Sequence, residues 1–146
     1  MQIEIKDQPY DPWIEISRYQ EESENLSPGS FGACATFVGT MRDFNEGDDV
    51  RSMVLEHYPE MTLRQLEKLA NDAIQAHGLL DALILHRVGE VFPNDPIVVV
   101  VAWSAHRKQA FDACREMMEH LKSKATFWKK ETLSDAARWV SKNTKG

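Results

Sequence analysis

Cysteine is scarce in this chain: Cys34 and Cys114 are the two in 146 residues, and neither belongs to a CxxC pair. That excludes a disulfide framework, and both thiols read as small buried hydrophobes of a protein kept in a reducing compartment. The five histidines form no HExxH motif and no close Cys/His set, so no metal and no cofactor are expected. No apolar run approaches the ~20 residues of a membrane span. The opening Met-Gln-Ile-Glu-Ile-Lys lacks the layout of a secretory signal, so a cytoplasmic protein with no membrane role is expected. Basic charge is also in deficit, with 17 Lys/Arg against 23 Asp/Glu, a net charge of -6 and a pI near 5.3. A general nucleic-acid binder needs the opposite balance over a broad face. Glycine-rich phosphate loops, internal repeats and low-complexity tracts are missing too.

What is present suits one globular domain spanning 1–146, with a polar tail from about residue 141 and enough apolar residues for a real core. The positive charge is concentrated. From Ser104 to Lys130 there are seven Lys/Arg against three Asp/Glu, a net of +4, which leaves -10 on the rest of the chain. Lys122, Lys124, Lys129 and Lys130 crowd the stretch from Leu121 to Glu131, where a helical pattern runs out into the pair Phe127-Trp128. A local basic cluster on an acidic protein suits an anionic ligand. Lysines that merely complement a helix C-terminus are the competing account.

In chain order, Ile3 and Ile5 alternate as a short strand, and Asp11-Pro12 caps and begins a helix carrying Trp13, Ile14 and Ile16. A loop over 21–30 leads to a strand over 31–38, with Phe31, Ala33, Ala35 and Phe37 on one face. The polar, glycine-bounded stretch 39–49 reads as a loop holding Arg42, which is either an anion contact or a surface partner of Asp43 or Glu46. A strand over 50–57 precedes a helix from Pro59 to Gly78, with Met61, Leu66, Leu69, Ala70, Ala73 and Ile74 on its apolar side. Strands over 81–88 and 97–103 flank the turn Pro93-Asn94-Asp95-Pro96, and the second is apolar enough to be covered on both faces. Ser104 reads as the cap of a third helix whose buried stripe is Ala110, Phe111, Cys114, Met117, Met118 and Leu121. Lys122 falls at the border of that stripe, near Phe111 and Met118. A lysine partly out of water can serve as acid, base or nucleophile, though an ion pair with Glu119 is the plainer use. Extended segments at Thr126-Phe127-Trp128 and Arg138-Trp139-Val140 end the pattern. Three main helices and strands that often follow one another directly predict an α+β fold with a mainly antiparallel sheet.

Five motifs occur in order: Phe37-Val38-Gly39-Thr40-Met41-Arg42, Leu55-Glu56-His57-Tyr58-Pro59-Glu60-Met61, His86-Arg87-Val88-Gly89-Glu90, Ser104-Ala105-His106-Arg107, and Leu121-Lys122 with Phe127-Trp128-Lys129-Lys130-Glu131. Together they resemble the large, catalytic subunit of molybdopterin synthase over roughly 31–139. Thr126 stands where that family commonly has proline, and Asn94-Asp95-Pro96 replaces a glycine-containing turn.

The resemblance implies an α/β hammerhead-type fold and a homodimer within a heterotetramer. Each large subunit would receive a small ubiquitin-like sulfur-carrier subunit whose C-terminal Gly-Gly bears a thiocarboxylate. Sulfur would pass in two rounds to cyclic pyranopterin monophosphate, forming the dithiolene of molybdopterin, which makes the enzyme a sulfurtransferase. Lys122 would lie against the carrier's terminal glycine, and Lys129 would stabilise charge or move protons as sulfur adds. His106, Arg107, Arg42 and Arg138 would form an anion pocket walled by Phe37, with residues drawn from one subunit or two. A non-catalytic pterin- or nucleotide-binding module using the same basic pocket, and a partner that merely docks a ubiquitin-like tail, are the alternatives.

Overall fold

A computed structural model describes residues 1–45, 48–124, 127–133 and 137–139. Its central sheet has the order β1-β5-β7-β2, from β1 (Gln2–Lys6), β5 (Asp81–Arg87), β7 (Pro96–Ser104) and β2 (Ala33–Thr40). β1 runs parallel to β5, and the other two pairings are antiparallel. Strand alternation then sorts the apolar side chains into two layers. Ile84, Val98, Val100 and Ala102 point to one face, where α2 (Pro59–His77) and α3 (Arg107–Lys124) cover them with Leu66, Ala70, Ala113 and Met117. Leu83, Leu85, Val99, Val101 and Trp103 point to the other, where α1 (Pro12–Glu22) contributes Ile16 and Tyr19. Coverage on both faces is why β7 has no polar alternation.

The helices begin and end where short-range chemistry dictates. The Asp11 side chain accepts from the amides of Trp13 at 2.9 Å and Ile14 at 3.4 Å, capping α1. Pro59 starts α2, and Gly78 closes it in the left-handed conformation at φ 63°.

A second sheet has the order β3-β4-β8-β9, from β3 (Phe44–Asn45), β4 (Asp48–His57), β8 (Phe127–Leu133) and β9 (Ala137–Trp139), with β6 (Gly89–Val91) also pairing β4. It joins the first through a small core of Met41, Met53, Leu55 and Val91 packed with Ile97. The turn before β7 fastens this junction. Asn94 adopts φ 74°, its amide donates to the Met41 carbonyl at 2.8 Å, and the Met41 amide donates to the Asp95 carbonyl at 3.0 Å. The end of β2, and Arg42 beyond it, are thereby held against the second sheet.

The α+β class, the three helices and the mainly antiparallel pairing match the sequence reading, but several details do not. The stretch read as a loop over 39–49 contains the end of β2, all of β3 and the start of β4. β6 is an additional short strand. Phe31 lies ahead of β2 and packs into the α1-side cluster with Trp103, opposite Ala35. Ser104 is not a helix cap: it ends β7, and its hydroxyl donates to the His106 carbonyl, with α3 starting at Arg107. Met61 and Phe111 are 53% and 67% exposed, and their places inside are taken by Thr62 and Ala113. Cys34 is exposed, whereas Cys114 is buried as expected. Thr126, Val140 and the polar tail lie outside the described residues.

Candidate active site

α3 returns antiparallel to β7, so its two ends lie over opposite ends of β2. The cationic residues singled out in the sequence divide between those ends. Lys122 sits in the last turn of α3, half-buried, beside the buried Leu121. Arg42 follows β2 at the same end, exposed, next to the buried Met41. The register of the second sheet sets Lys129 opposite Leu55, and Leu55 shares the junction core with Met41. Arg138 on β9 stands opposite Glu131, which in turn faces Met53 across β8 and β4. By register, Lys129 and Arg138 thus stand on strands of the second sheet, Lys129 opposite a residue of the junction core, while Arg42 and Lys122 lie toward the same end of β2.

His106 and Arg107 are not part of that group. Both are exposed at the start of α3, beside the opposite end of β2, where the Gly32 amide donates to the Ser104 carbonyl at 3.0 Å. Fifteen residue steps along α3 separate Arg107 from Lys122, roughly 22 Å at the helical rise. One small anion cannot bridge them within a single chain. Phe37 lies between the two ends, opposite Val100 and 39% exposed. Gly39 makes room for its ring, since a Cβ at Gly39 would come within 3.2 Å of Phe37 Cε1 and 2.8 Å of Val98 Cγ1.

The thiols are poor candidates for carrying sulfur. Burial pushes the Cys114 thiol up to about 11, the nearby Cys34 adds to that, and a backbone contact at Phe37 only partly opposes it. Cys34 keeps part of its surface in solvent, yet partial desolvation of the thiol by its neighbours raises it above its ordinary value, against a smaller opposing contribution from the Thr36 hydroxyl 3.7 Å away. A nucleophilic cysteine needs the reverse shift. Ammonium and guanidinium groups are the side chains here suited to bind, polarise and stabilise anions.

One positioning residue escaped the sequence reading. A Cβ on Gly32 would collide with the backbone carbonyl of Ala105, so only glycine lets the approach to β2 pass beneath the turn that presents His106 and Arg107. The sequence signal is slight: a lone glycine just before a strand.

A family model described as "MoaE protein" matches residues 11–124. The molybdopterin synthase catalytic subunit of Pseudomonas aeruginosa is 44% identical over 140 residues, covering 96% of this chain and 90% of that protein. Among solved structures, the molybdopterin biosynthesis MoaE protein of Burkholderia ambifaria superposes with a TM-score of 0.78 at 41% identity, covering 95% of this chain and 88% of that one. Molybdopterin synthase from Staphylococcus aureus gives 0.82 at 25% identity, covering 94% and 96%.

Proposed function

The chain belongs to the MoaE protein family, and on that premise we propose that Lys122 and Lys129 are its catalytic residues. The protein works as the catalytic subunit of a molybdopterin synthase, a sulfurtransferase of molybdenum cofactor biosynthesis. It takes sulfur from the thiocarboxylated C-terminus of a small ubiquitin-like carrier and delivers it to cyclic pyranopterin monophosphate. The observation that supports the residue assignment is the register that sets Lys129 opposite Leu55 of the junction core, with Arg42 directly after Met41 of that core and Lys122 at the end of α3, in a chain of net charge -6.

The chemistry asks for cations at two points. The anionic thiocarboxylate sulfur bonds to the pterin, and water then cleaves the acyl–sulfur bond, leaving the carrier as a carboxylate and the sulfur on the pterin; an ammonium against the terminal glycine polarises the acyl group for that attack. Lys122, half-buried at the end of α3, takes this role. A second cation must offset charge or supply a proton as sulfur adds to the pterin, and Lys129 takes that one. Arg42, Arg138, His106 and Arg107 hold the phosphate, with Phe37 as a wall. Because His106 and Arg107 lie a helix length from Lys122, the complete pocket draws them from a second copy, giving a homodimer with one carrier bound to each chain. No helix of the described residues is long and apolar enough to cross a membrane. The free thiols and a carrier-dependent biosynthetic reaction support placement in the cytoplasm.

The test is conversion of cyclic pyranopterin monophosphate to molybdopterin by the purified chain and a thiocarboxylated carrier. The parent forms product, while Lys122→Ala and Lys129→Ala each lose on the order of 100-fold or more in turnover and still bind the carrier. A parent that binds pterin yet makes no product would support the non-catalytic binding module instead.

A further inference from the structure

Resting on the assignment of Lys122 and Lys129 as catalytic, we infer that Arg87 is a positioning residue. It braces the corner between the two sheets and so sets the strand of Lys129 against the helix of Lys122. Lys122 belongs to α3, which packs on the first sheet, whereas Lys129 lies on β8 of the second. Any rotation of one sheet against the other moves one lysine relative to the other. A reaction that uses both depends on what holds that angle.

The chain passes from the first sheet into the second at residues 87–90. Arg87 ends β5, Gly89 begins β6, and only Val88 lies between them. Val88 is fixed on the first-sheet side, where its amide donates to the Lys6 carbonyl of β1 at 2.8 Å. Gly89 takes φ 87°, a left-handed conformation that costs glycine little. Across this bend the Arg87 guanidinium meets the next carbonyl, Nη2 donating to the Glu90 oxygen at 3.0 Å. From there the link continues through the ladder. Gly89 and Glu90 pair with Leu55 and Val54, which pair on their other side with Lys129 and Lys130. One side chain thus ties the end of β5 to the strands that carry Lys129.

Stability alone does not account for an arginine at this place. Arg87 is 6% exposed, and among the described residues no carboxylate pairs with it. Its Nε makes no hydrogen bond, and the Tyr10 hydroxyl, also buried without one, feels its charge: burial pushes that phenol up, and Arg87 opposes the shift. A charge buried on such terms holds a fold no better than an apolar side chain of similar volume. What an apolar side chain cannot do is reach across the corner to a carbonyl with a charge-assisted hydrogen bond. The other contacts that hold the angle are the apolar ones of Met41, Met53, Leu55 and Val91, which have no preferred direction.

Steady-state kinetics with carrier and pterin, run beside hydrogen exchange, tests the brace on Arg87→Met, Arg87→Lys and Ile84→Ala. Arg87→Met keeps the apolar stem and loses the donor. Its kcat should fall on the order of 10- to 100-fold, as a displacement of about 1 Å can produce, with KM for the pterin within about 2-fold. Amides of Gly89–Val91 and of residues 53–55 should exchange at least about 10-fold faster, while those of β7 keep the parent's rates. Arg87→Lys, which retains a charged donor, should recover part of both losses. Ile84→Ala, destabilised in the first sheet, should keep the parent's kcat, so lost stability by itself does not reproduce the pattern. Should Arg87→Met fail to fold, Gly89→Ala strains the same corner with no neighbouring atom to collide with, and it should show the same kcat loss and the same localised exchange. Exchange that is unchanged at β6 and β4, or that quickens equally in β7, overturns the proposal, as does an effect confined to KM. A parent that makes no product, with localised exchange in Arg87→Met, upholds the brace and defeats the enzymatic reading. An active parent whose kcat is indifferent to Arg87→Met defeats the proposal and leaves that reading standing.

Discussion

All seven residues of β5 and the last seven of β7 are buried, whereas β8 and β9 carry Lys129, Lys130, Glu131 and Arg138 within ten residue positions. The first sheet is covered by helices on both faces and supplies most of the apolar burial. The second is attached through the small Met41–Leu55 core and bears charge where the first bears valine. On the proposed assignment, stability and chemistry are separated in space, and they meet at the end of β2, where Arg42 leaves the buried sheet. A substrate pocket placed at such a junction can gather charge without burying it in the main core, where an unpaired charge would cost several kcal/mol.

The comparison breaks most visibly if a core change disturbs chemistry. Ile84→Ala removes a fully buried side chain from the middle of the first sheet, and about 2–5 kcal/mol of stability should be lost in urea unfolding. Turnover per folded molecule should stay near the parent's, and a selective fall in turnover would show that the two regions are not separate.

Asp81 gives the next effect, and it depends on pH. Its carboxylate has no exposed side-chain surface, lies 2.7 Å from the Met1 ammonium and accepts from Ser23 at 2.6 Å and Tyr19 at 2.8 Å. Burial alone would raise its pKa, but the ammonium, both hydroxyls and the Ala82 amide outweigh burial and hold it below the ordinary value. A depressed folded value means the contribution is whole above the unfolded carboxyl pKa, about 3.9, and drains away as pH falls through the lower folded value. Asp81→Asn should therefore lower stability at neutral pH by roughly 1–3 kcal/mol and flatten the acid limb of the stability curve. An unchanged acid limb would contradict the assignment.

Gly32→Ala sharpens the comparison because it acts at the edge of the stable sheet yet should register at the site. The new methyl must displace the Ala105 carbonyl, at a cost of about 1–3 kcal/mol, and shift the turn bearing His106 and Arg107. KM for the pterin should rise while carrier binding is kept. The smallest effect belongs to the thiols: Cys34→Ser with Cys114→Ala should leave turnover within about 2-fold, since neither sulfur is tuned as a nucleophile.

Much of this was legible in the sequence, for reasons that differ by element. β7 and α2 announced themselves because a long apolar run and a proline-to-glycine helical span each depend on local pattern alone. β6 did not, because the three residues Gly89–Val91 are too few to show a period. Nor could β1 be paired with β5, since that contact joins positions some eighty residues apart. Phe111 is the instructive error: its spacing marks a buried position, and in one chain it is exposed. The lysines and arginines were visible as a concentration of charge, but the division of His106 and Arg107 from Lys122 required the direction of α3.

That division makes mixed chains the most direct test. Arg107→Ala and Lys122→Ala are each expected to be nearly inactive alone, and they should be co-expressed so that the two chains assemble together. In a two-fold dimer with shared pockets, each mixed dimer holds one intact pocket, so about a quarter of the parent's turnover should return. A mixture as inactive as either variant alone would contradict a pocket built from both ends of α3.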